Sequence, residues 1–505
     1  MGIVFRQSVK TSLVLILGAL LGAGILWLST RFIPKQEYGF INSMTKWAVM
    51  LSIFAPLGLN STLAVFIHRY NNDDVKRKLL LTICFVVPLV ISSVIAIVYL
   101  LAPEWVIHHF QPEDEPLMRT YYKWLPIYIL FFVYMTIFDQ YLCSQMKVAV
   151  SYFMREVLLR ILNILFILLF AFKIICFHTL VLTSILIYCA PLFLYFLLSI
   201  NTKAFGFTIN YSGFSPAEYK EIAHFSWYHF LLYISIMLLN SMDALLIPFY
   251  DHRGFSTLAV YMVAVYFISL AYMPSKAFMQ ASFASFAKAF NNKNMDAAKD
   301  IFIRSSVNLL IPTLGIALII CCNLENAVSI IGSGKNYSGL IPVFIVLLIG
   351  MLVNVANGMT DQVLSITNYY KFNFYVSLII SGILFGLIRY LVPRYGIFGA
   401  ACASSTAMIL YNIIKFLFIW KKLDMQPFSI NTLKILICAL PALAVGYFFP
   451  YFFNPDRHVY VHTFLDVIMR SSVIVLVYML MLIWLKPSKD LEEYLATVKK
   501  DKRLF

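Results

Sequence analysis

Charged side chains interrupt the long apolar stretches of this sequence, and these residues could bind a charged ligand. A charge at the centre of a lipid bilayer costs roughly 2.5–3.5 kcal/mol on insertion scales, so such residues usually face a cavity or one another. Cations outnumber anions among them, and Lys and Arg bind phosphate oxygens through charge-assisted hydrogen bonds. The pattern therefore predicts a site for an anionic, phosphate-bearing ligand. The embedded charged residues are Lys46, Asp139, Arg155, Glu156, Arg160, Asp243, Lys276, Asp361, Arg389, Lys415, Asp466 and Arg470.

Two lysines are the first candidates for contact with such a ligand. Lys276 follows Pro274 within an apolar run, and a proline inside a helix removes a backbone hydrogen bond and kinks the helix. The alternative for Lys276 is a lysine whose long side chain reaches the lipid headgroups. Lys46 immediately precedes Trp47, so it is either a second ligand contact or an anchor beside an interfacial tryptophan.

Arg155 and Arg160 are the other candidate cations, and they lie at the start of an apolar run with Glu156 between them. Arginine offers a planar fork that matches phosphate oxygens. Positions four apart share one face of a helix, so Glu156 and Arg160 also fit a simple ion pair. The three residues therefore predict either the mouth of an anion site or a local set of ion pairs.

Three embedded aspartates are candidates for pairing with a cation or for binding a coupling ion, H⁺ or Na⁺. Asp243 lies deep in its run and has no charged neighbour in sequence, whereas Asp139 and Asp361 fall nearer the ends of theirs. No cofactor and no metal are expected, because the eight cysteines show neither the CxxC nor the Cys/His spacing of a zinc site.

The elements that must position these residues are membrane-spanning helices. Of 505 residues, 61% are hydrophobic and 12% are charged, and the mean hydropathy is +0.82; soluble domains carry about 25% charged residues. About fourteen apolar runs reach the roughly 20 residues that cross a bilayer, among them 44–67, 154–173, 374–392 and 398–421. An even number places both termini on one side, and the basic loops favour the cytoplasm. The net charge of +15 therefore reflects topology and not nucleic-acid binding.

A loose internal repeat indicates two halves. Tyr38-Gly39-Phe40 precedes one long apolar run, and Arg253-Gly254-Phe255 precedes another, six runs later. Copies separated by an even number of spans share one orientation, a plan found in transporters with parallel repeats. We therefore expect an all-α polytopic membrane protein with two pseudo-symmetric six-helix lobes around a cationic cavity, and two C-terminal helices. The expected divisions are an N-lobe at 1–222, a C-lobe at 223–425, and the last two spans with a basic cytoplasmic tail at 426–505.

Three stretches carry a family resemblance. They are Pro34-Lys35-Gln36-Glu37-Tyr38-Gly39-Phe40, Asn240-Ser241-Met242-Asp243, and Val392-Pro393-Arg394-Tyr395-Gly396-Ile397-Phe398-Gly399-Ala400-Ala401. With the span count and the two halves, they make the sequence resemble the oligosaccharide-lipid flippases, the polysaccharide exporter branch of the multidrug/oligosaccharidyl-lipid/polysaccharide (MOP) superfamily. Ala244 departs from the family pattern, in which Arg or Lys usually follows the aspartate.

The resemblance implies a transporter of the bacterial inner membrane. It would move an undecaprenyl-pyrophosphate-linked oligosaccharide from the cytoplasmic to the periplasmic leaflet by alternating access, for O-antigen, capsule or exopolysaccharide biosynthesis. Its partners would be this lipid-linked substrate, the membrane and polysaccharide polymerase machinery. The alternatives are a multidrug or cation antiporter and a lipid II flippase of the same superfamily. An enzyme, such as a glycan polymerase or glycosyltransferase, is disfavoured because the loops are too short for a large catalytic domain.

Overall fold

The computed structural model describes residues 3–70, 72–145, 147–202, 205–210, 213–332, 337, 339–367, 369–450, 460–488, 490 and 492. Within these residues helices are the only regular secondary structure, and there is no β-strand. It divides into two compact units, Met1–Ala259 (unit 1) and Val260–Phe505 (unit 2). The expected lobe boundary at 222/223 and the separate segment 426–505 stay predictions, and the basic tail beyond residue 492 lies outside the described residues.

Unit 1 contains twelve helices and the start of a thirteenth, joined by short turns. They are α1 (Ile3–Phe32), α2 (Lys35–Ser52), α3 (Leu59–Arg69), α4 (Asp74–Leu101), α5 (Pro103–Ile107), α6 (Glu115–Tyr121), α7 (Leu125–Ser144), α8 (Val148–Phe153), α9 (Leu159–Ala171), α10 (Phe177–Leu186), α11 (Cys189–Ile200), α12 (Pro216–Tyr250) and α13 (Gly254–Asn291). A 3₁₀ turn at Tyr122–Trp124 precedes α7, and a π-helical turn at Met154–Leu158 joins α8 to α9.

Unit 2 continues from α13 through seven more helices in the described part of the chain. They are α14 (Met295–Cys322), α15 (Leu324–Gly332), α16 (Leu340–Ala356), α17 (Thr360–Ile366), α18 (Tyr370–Leu423), α19 (Ile430–Phe448) and α20 (Tyr460–Leu485). Large apolar side chains remain exposed on both units, for example Leu101, Phe448 and Trp484. Such surfaces suit the hydrocarbon of a bilayer, where only structures that satisfy their backbone hydrogen bonds internally are tolerated.

The number of spans differs from the fourteen expected. Ten helices in the described ranges are long and apolar enough to cross a membrane, or up to eleven if the bent pair of α16 and α17 forms one span. The run expected at 44–67 is interrupted, because α2 ends at Ser52 and α3 begins only at Leu59. The run expected at 154–173 starts in the π-helical turn, which carries Arg155 and Glu156. The count of fourteen is therefore not confirmed.

Two further expected runs, 374–392 and 398–421, lie within the single 54-residue element α18. Gly396 interrupts its helical backbone with φ 58° and ψ −139°. Only glycine adopts this region at little cost, so the glycine of the third family stretch marks the break. The separation that the sequence predicts is present as a kink and not as a loop.

The two copies of the internal repeat pack directly on each other within unit 1. The rings of Phe40 and Phe255 meet edge to face at 5.4 Å between centroids. Gly39 lies against the backbone carbonyl of Phe255, where any Cβ would overlap it. The glycine at position 39, within α2, is therefore required by the close packing of α2 on the start of α13.

Candidate functional site

Lys46 and Asp243, a predicted cation and a predicted acid, are brought together by the packing of α2 on α12. The ammonium group of Lys46 interacts electrostatically with the Asp243 carboxylate. The same carboxylate accepts a hydrogen bond at 2.7 Å from the backbone N–H of Ala244. The positive charge that interacts with Asp243 therefore comes from Lys46 on another helix. The next residue, Ala244, cannot supply it.

The second charged group in unit 1 joins Asp139, Arg155, Glu156 and Arg160. Arg155 lies 3.3 Å from both the Asp139 and the Glu156 carboxylates, and Arg160 lies 2.7 Å from Glu156. Ser151 donates a hydrogen bond to Asp139, and Arg160 donates one to the backbone carbonyl of Gly18 on α1. π-Helical turns of this kind are frequent at functional sites.

The two arginines of this group are engaged by carboxylates in the structure. The ion pair between positions 156 and 160 is the helix-face alternative that their spacing allowed. An anionic ligand would have to compete with two acids for these guanidinium groups. Their role in anion binding therefore stays a prediction.

Asp361 lies in unit 2, within a polar network that the sequence did not reveal. Lys415 donates a hydrogen bond to it at 2.9 Å, and Tyr411 donates one at 3.1 Å. The Lys415 side chain has no exposed area, whereas 43% of the Asp361 side chain is exposed. The Lys415 ammonium also lies 3.7 Å from the centroid of the Tyr411 ring, a cation–π contact.

This network lies at the bend between α16 and α17, whose axes differ by 45°. At the same bend Asn357 donates hydrogen bonds to the backbone and side-chain oxygens of Asn412, at 2.8 and 2.9 Å. Lys415 was an embedded cation in the sequence, and the structure places Tyr411, four positions earlier, beside it on α18. The contact with Asp361, 54 positions away, required the fold.

Lys276 differs from the other predicted cations. Its side chain is exposed, and its ammonium group lies 5.5 Å from the centroid of the Tyr272 ring, one helical turn earlier. Among the residues that the structure describes, no carboxylate forms a salt bridge with Lys276. Lys276 is therefore the predicted cation best able to take a new anionic partner.

Asp114 is a buried acid that the sequence analysis did not single out, since it stood in an acidic loop. Its side chain is 1% exposed and lies just before α6. The Gln36 amide and the backbone N–H of Phe255 donate hydrogen bonds to it at 2.9 and 2.8 Å. Burial raises the pKa of the Asp114 carboxyl, although both hydrogen bonds oppose the shift. Asp114 thus links the start of α2 to the start of α13.

Within the described ranges, no cluster of three or more His, Cys, Asp or Glu side chains has the geometry of a metal site. The charged groups of the two units can bind anions or exchange protons and monovalent ions.

The fold is that of a membrane transporter of the MOP superfamily. The lipid II flippase MurJ, in an inward closed conformation, matches it with a TM-score of 0.67 and 16% identity, over 95% of this chain and 99% of MurJ. An inward-facing multidrug resistance MATE family transporter matches with a TM-score of 0.62 and 14% identity, over 81% and 94% of the two chains. A MOP superfamily transporter from Pyrococcus furiosus Vc1 (DSM3638) matches with a TM-score of 0.54 and 12% identity, over 83% and 96%.

The profile of the polysaccharide biosynthesis protein family matches residues 4–290. This match covers more than half of the sequence, and the chain belongs to that family. The predicted resemblance is therefore confirmed, and the protein is a multi-pass membrane protein of the flippase type. A comparison with curated protein sequences found no match. The family and the structural neighbours are transporters and not enzymes.

Proposed function

We propose that this protein moves an undecaprenyl-pyrophosphate-linked oligosaccharide from the cytoplasmic to the periplasmic leaflet of the bacterial inner membrane, by alternating access. The product would enter O-antigen, capsule or exopolysaccharide synthesis through polymerase machinery. The observation that carries the proposal is the match of residues 4–290 to the polysaccharide biosynthesis family. The family implies a lipid-linked substrate in the membrane. That this substrate carries a pyrophosphate and a sugar chain is our proposal.

The charged groups support an anionic substrate. Lys276 is exposed and carries no salt bridge in the described part of the chain. Lys46 is partly buried and interacts electrostatically with the Asp243 carboxylate, so a substrate phosphate nearby would replace one negative charge with another. Ammonium groups bind phosphate as compact charges with three donors. We assign these two lysines to the pyrophosphate, with Arg155 and Arg160 as further candidates once their carboxylate partners are displaced.

The acidic residues support a coupling role. Asp243 and Asp361 each interact with a lysine, and Asp139 interacts with Arg155. A carboxylate that alternates between a lysine and a proton or Na⁺ would link ion movement to transport. We propose this role first for Asp243, because a substrate phosphate that captured Lys46 would release its carboxylate.

Two rival functions follow from the structural neighbours. MurJ is a lipid II flippase and the MATE protein is a multidrug resistance transporter. A multidrug antiporter for cations would want acids free of basic partners, whereas Asp139, Asp243 and Asp361 all have one. The lipid II alternative is separated from the proposed function only by the chemistry of the substrate.

The test is depletion of the protein in the native bacterium. The lipid-linked oligosaccharide pool and the surface polysaccharide are then quantified together. We expect complete lipid-linked units to accumulate while surface polymer is lost, and their chemical structure identifies the glycan. Accumulated lipid II would support the MurJ-like function instead. An unchanged lipid-linked pool would favour the antiporter, and truncated units would indicate an enzyme of assembly.

A further inference from the structure

Unit 1 contains a cavity of about 590 Å³ between the end of α1 and the turn that joins α9 to α10. Phe32, the last residue of α1, forms part of its wall. Phe170 and Ile175 also line it, and both pack against a buried apolar cluster of α1, α9 and α10. The lining side chains with polar atoms are Lys173 and Cys176, and both are exposed. A ligand in the cavity can therefore reach an ammonium group and a thiol.

Lys173 occupies a backbone position that favours glycine. Its φ is 60°, in the left-handed region that side chains disfavour. Helix α9 ends there in a Schellman motif. The N–H of Ile174 donates a hydrogen bond to the carbonyl of Leu169 at 2.9 Å. The N–H of Lys173 donates one to the carbonyl of Phe170, also at 2.9 Å. Glycine or asparagine is usual at the position of Lys173 in this motif, so the lysine is unfavourable for the backbone and its side chain is the reason to look for a function.

The cavity lies at the level of a membrane surface. One candidate span ends at Phe32, and another begins at Phe177, directly after the turn that lines the cavity. The side chains on either side of Lys173 are apolar and largely exposed, 74% for Phe172 and 67% for Ile174. Exposed apolar side chains at this level insert among lipids, while the ammonium group of a lysine stays with the headgroups. Lipid headgroups are therefore the molecules that surround this cavity.

A second cation lies beside the cavity. The guanidinium carbon of Arg31 lies 5.8 Å from the centroid of the Phe32 ring, which lines the cavity, and 6.0 Å from that of the Trp27 ring. Among the described residues that line the cavity, none is acidic. Lysine binds phosphate as a compact charge with three donors, and basic pockets between membrane-spanning helices bind anionic headgroups. The charges of this cavity therefore complement a phosphate.

We propose that this cavity binds the phosphate headgroup of an anionic membrane phospholipid, such as phosphatidylglycerol. The Lys173 ammonium pairs with the phosphate, and Arg31 adds attraction from the neighbouring helix end. The acyl chains extend into the bilayer beside Phe172 and Ile174. The volume of about 590 Å³ lies within the roughly 300–1,000 Å³ of small-molecule sites, which suits a headgroup with its glycerol. The inference does not rest on the proposed transport function, because none of the assigned anion or coupling residues lines this cavity.

The test follows the reactivity of Cys176 in the purified full-length protein. The hydroxyl of Thr179 and backbone N–H groups at the start of α10 hydrogen-bond to its thiolate and lower the pKa of the thiol, which favours alkylation. The protein is placed in phosphatidylcholine nanodiscs that contain increasing fractions of phosphatidylglycerol. Labelling of Cys176 by N-ethylmaleimide is timed by peptide mass spectrometry, which separates it from the other cysteines. A headgroup in the cavity should slow this labelling, and the effect should saturate at a low fraction of phosphatidylglycerol.

Substitutions of Lys173 separate binding from folding. Lys173→Gly suits the backbone, so the melting temperature should stay the same or rise. Equal protection of Cys176 should nevertheless require about fivefold more phosphatidylglycerol, as expected for the loss of one lysine at an anionic surface. Lys173→Asn is a second neutral variant that tolerates the left-handed conformation, and Lys173→Arg should retain protection. Lys123→Met is the matched control, because Lys123 is exposed and does not line the cavity.

Four results would overturn the proposal. The first is wild-type labelling that does not depend on phosphatidylglycerol, and the second is protection in Lys173→Gly and Lys173→Asn equal to that of wild type. The third is equal protection by inorganic phosphate in pure phosphatidylcholine nanodiscs, which would assign the cavity to a free anion. The fourth is protection by undecaprenyl phosphate at a lower fraction than phosphatidylglycerol, which would assign the cavity to a prenyl-linked substrate. Because all variants share the same nanodiscs, the effect of the anionic surface on local pH cancels between them.

Discussion

Replacement of Asp361 by Asn should destabilise unit 2 far more than replacement of its partner Lys415 by Met. Asp361→Asn leaves an ammonium group with no exposed area beside a neutral amide. Removal of one partner of a buried ion pair costs about 3–5 kcal/mol. The Tyr411 ring at 3.7 Å retains part of the stabilisation through its cation–π contact, worth about 0.5–2 kcal/mol. The expected loss is therefore about 2–4 kcal/mol.

Lys415→Met removes the buried charge and keeps most of the side-chain volume. It leaves the Asp361 carboxylate, which water reaches over 43% of the side chain. The expected loss is below about 1.5 kcal/mol, comparable to an exposed pair. The double variant Asp361→Asn/Lys415→Met should recover most of the stability that Asp361→Asn loses, because the unpaired ammonium is no longer present.

The measurement is the free energy of unfolding by denaturant titration in lipid–detergent micelles. Asp424→Asn is the control, because the Lys299–Asp424 pair is close, at 2.6 Å, but 85% of the Asp424 side chain is exposed. Its left-handed φ of 52° also suits Asn, so the expected loss is below about 1 kcal/mol. Equal losses for Asp361→Asn and Lys415→Met, or a loss for Asp361→Asn no larger than the control, would refute the reasoning.

Three other predictions concern unit 1 and transport. Gly39→Ala should destabilise the protein by at least about 1–3 kcal/mol in the same titration, since its Cβ would overlap backbone; Gly382→Ala, where a Cβ meets no atom within 4 Å, should be neutral or slightly stabilising. Burial raises the pKa of the Asp114 carboxyl, so its contribution to the free energy of unfolding is full below about pH 4 and declines as the pH rises through the folded-state pKa. The difference in unfolding free energy between wild type and Asp114→Asn should therefore shift against wild type over that range. A difference that does not change with pH would exclude the effect. Lys276→Met combined with Lys46→Met should lower export at least about tenfold, from the roughly 1.5–3 kcal/mol of a hydrogen bond to a charged group, and wild-type export at normal protein levels would remove both lysines from the site.

Apolar composition and the family stretches were sufficient for the membrane character and the family. Gly39 and Gly396 were quoted in the sequence for the resemblance alone, and the structure shows why each is glycine. One lies against a backbone carbonyl, and the other has a backbone conformation that side chains disfavour. The cause is local for Gly396, whereas for Gly39 it is a contact with a residue more than 200 positions later.

The charged pairs were less predictable because their partners are distant in sequence. Asp243 lacked a charged neighbour, and its interaction with Lys46 depends on α2 packing against α12. The contact between Lys415 and Asp361, 54 positions apart, likewise depends on how the helices that carry them pack. The Glu156–Arg160 and Asp466–Arg470 pairs, each four positions apart, were readable from spacing. The span count failed in two ways. Some apolar runs are divided by a break in the helix, and two others are joined into the single element α18. Hydropathy does not report whether a helix is continuous.

The interaction between Lys46 and Asp243 also bears on how the chain enters the membrane during synthesis. Helix α2 is not among the helices apolar enough to count as spans by themselves, and it carries a lysine that costs roughly 2.5–3.5 kcal/mol near a bilayer centre. Its acidic partner is made about 200 residues later, which at roughly 5–20 residues per second is a delay of about 10–40 s. Nascent chains that stop before Asp243 should therefore leave α2 at the membrane surface, reachable by water-soluble thiol reagents at a Ser43→Cys probe. Completion of α12 should then draw α2 into the bilayer, so that the topology of the start of unit 1 is settled only when the end of unit 1 has been made.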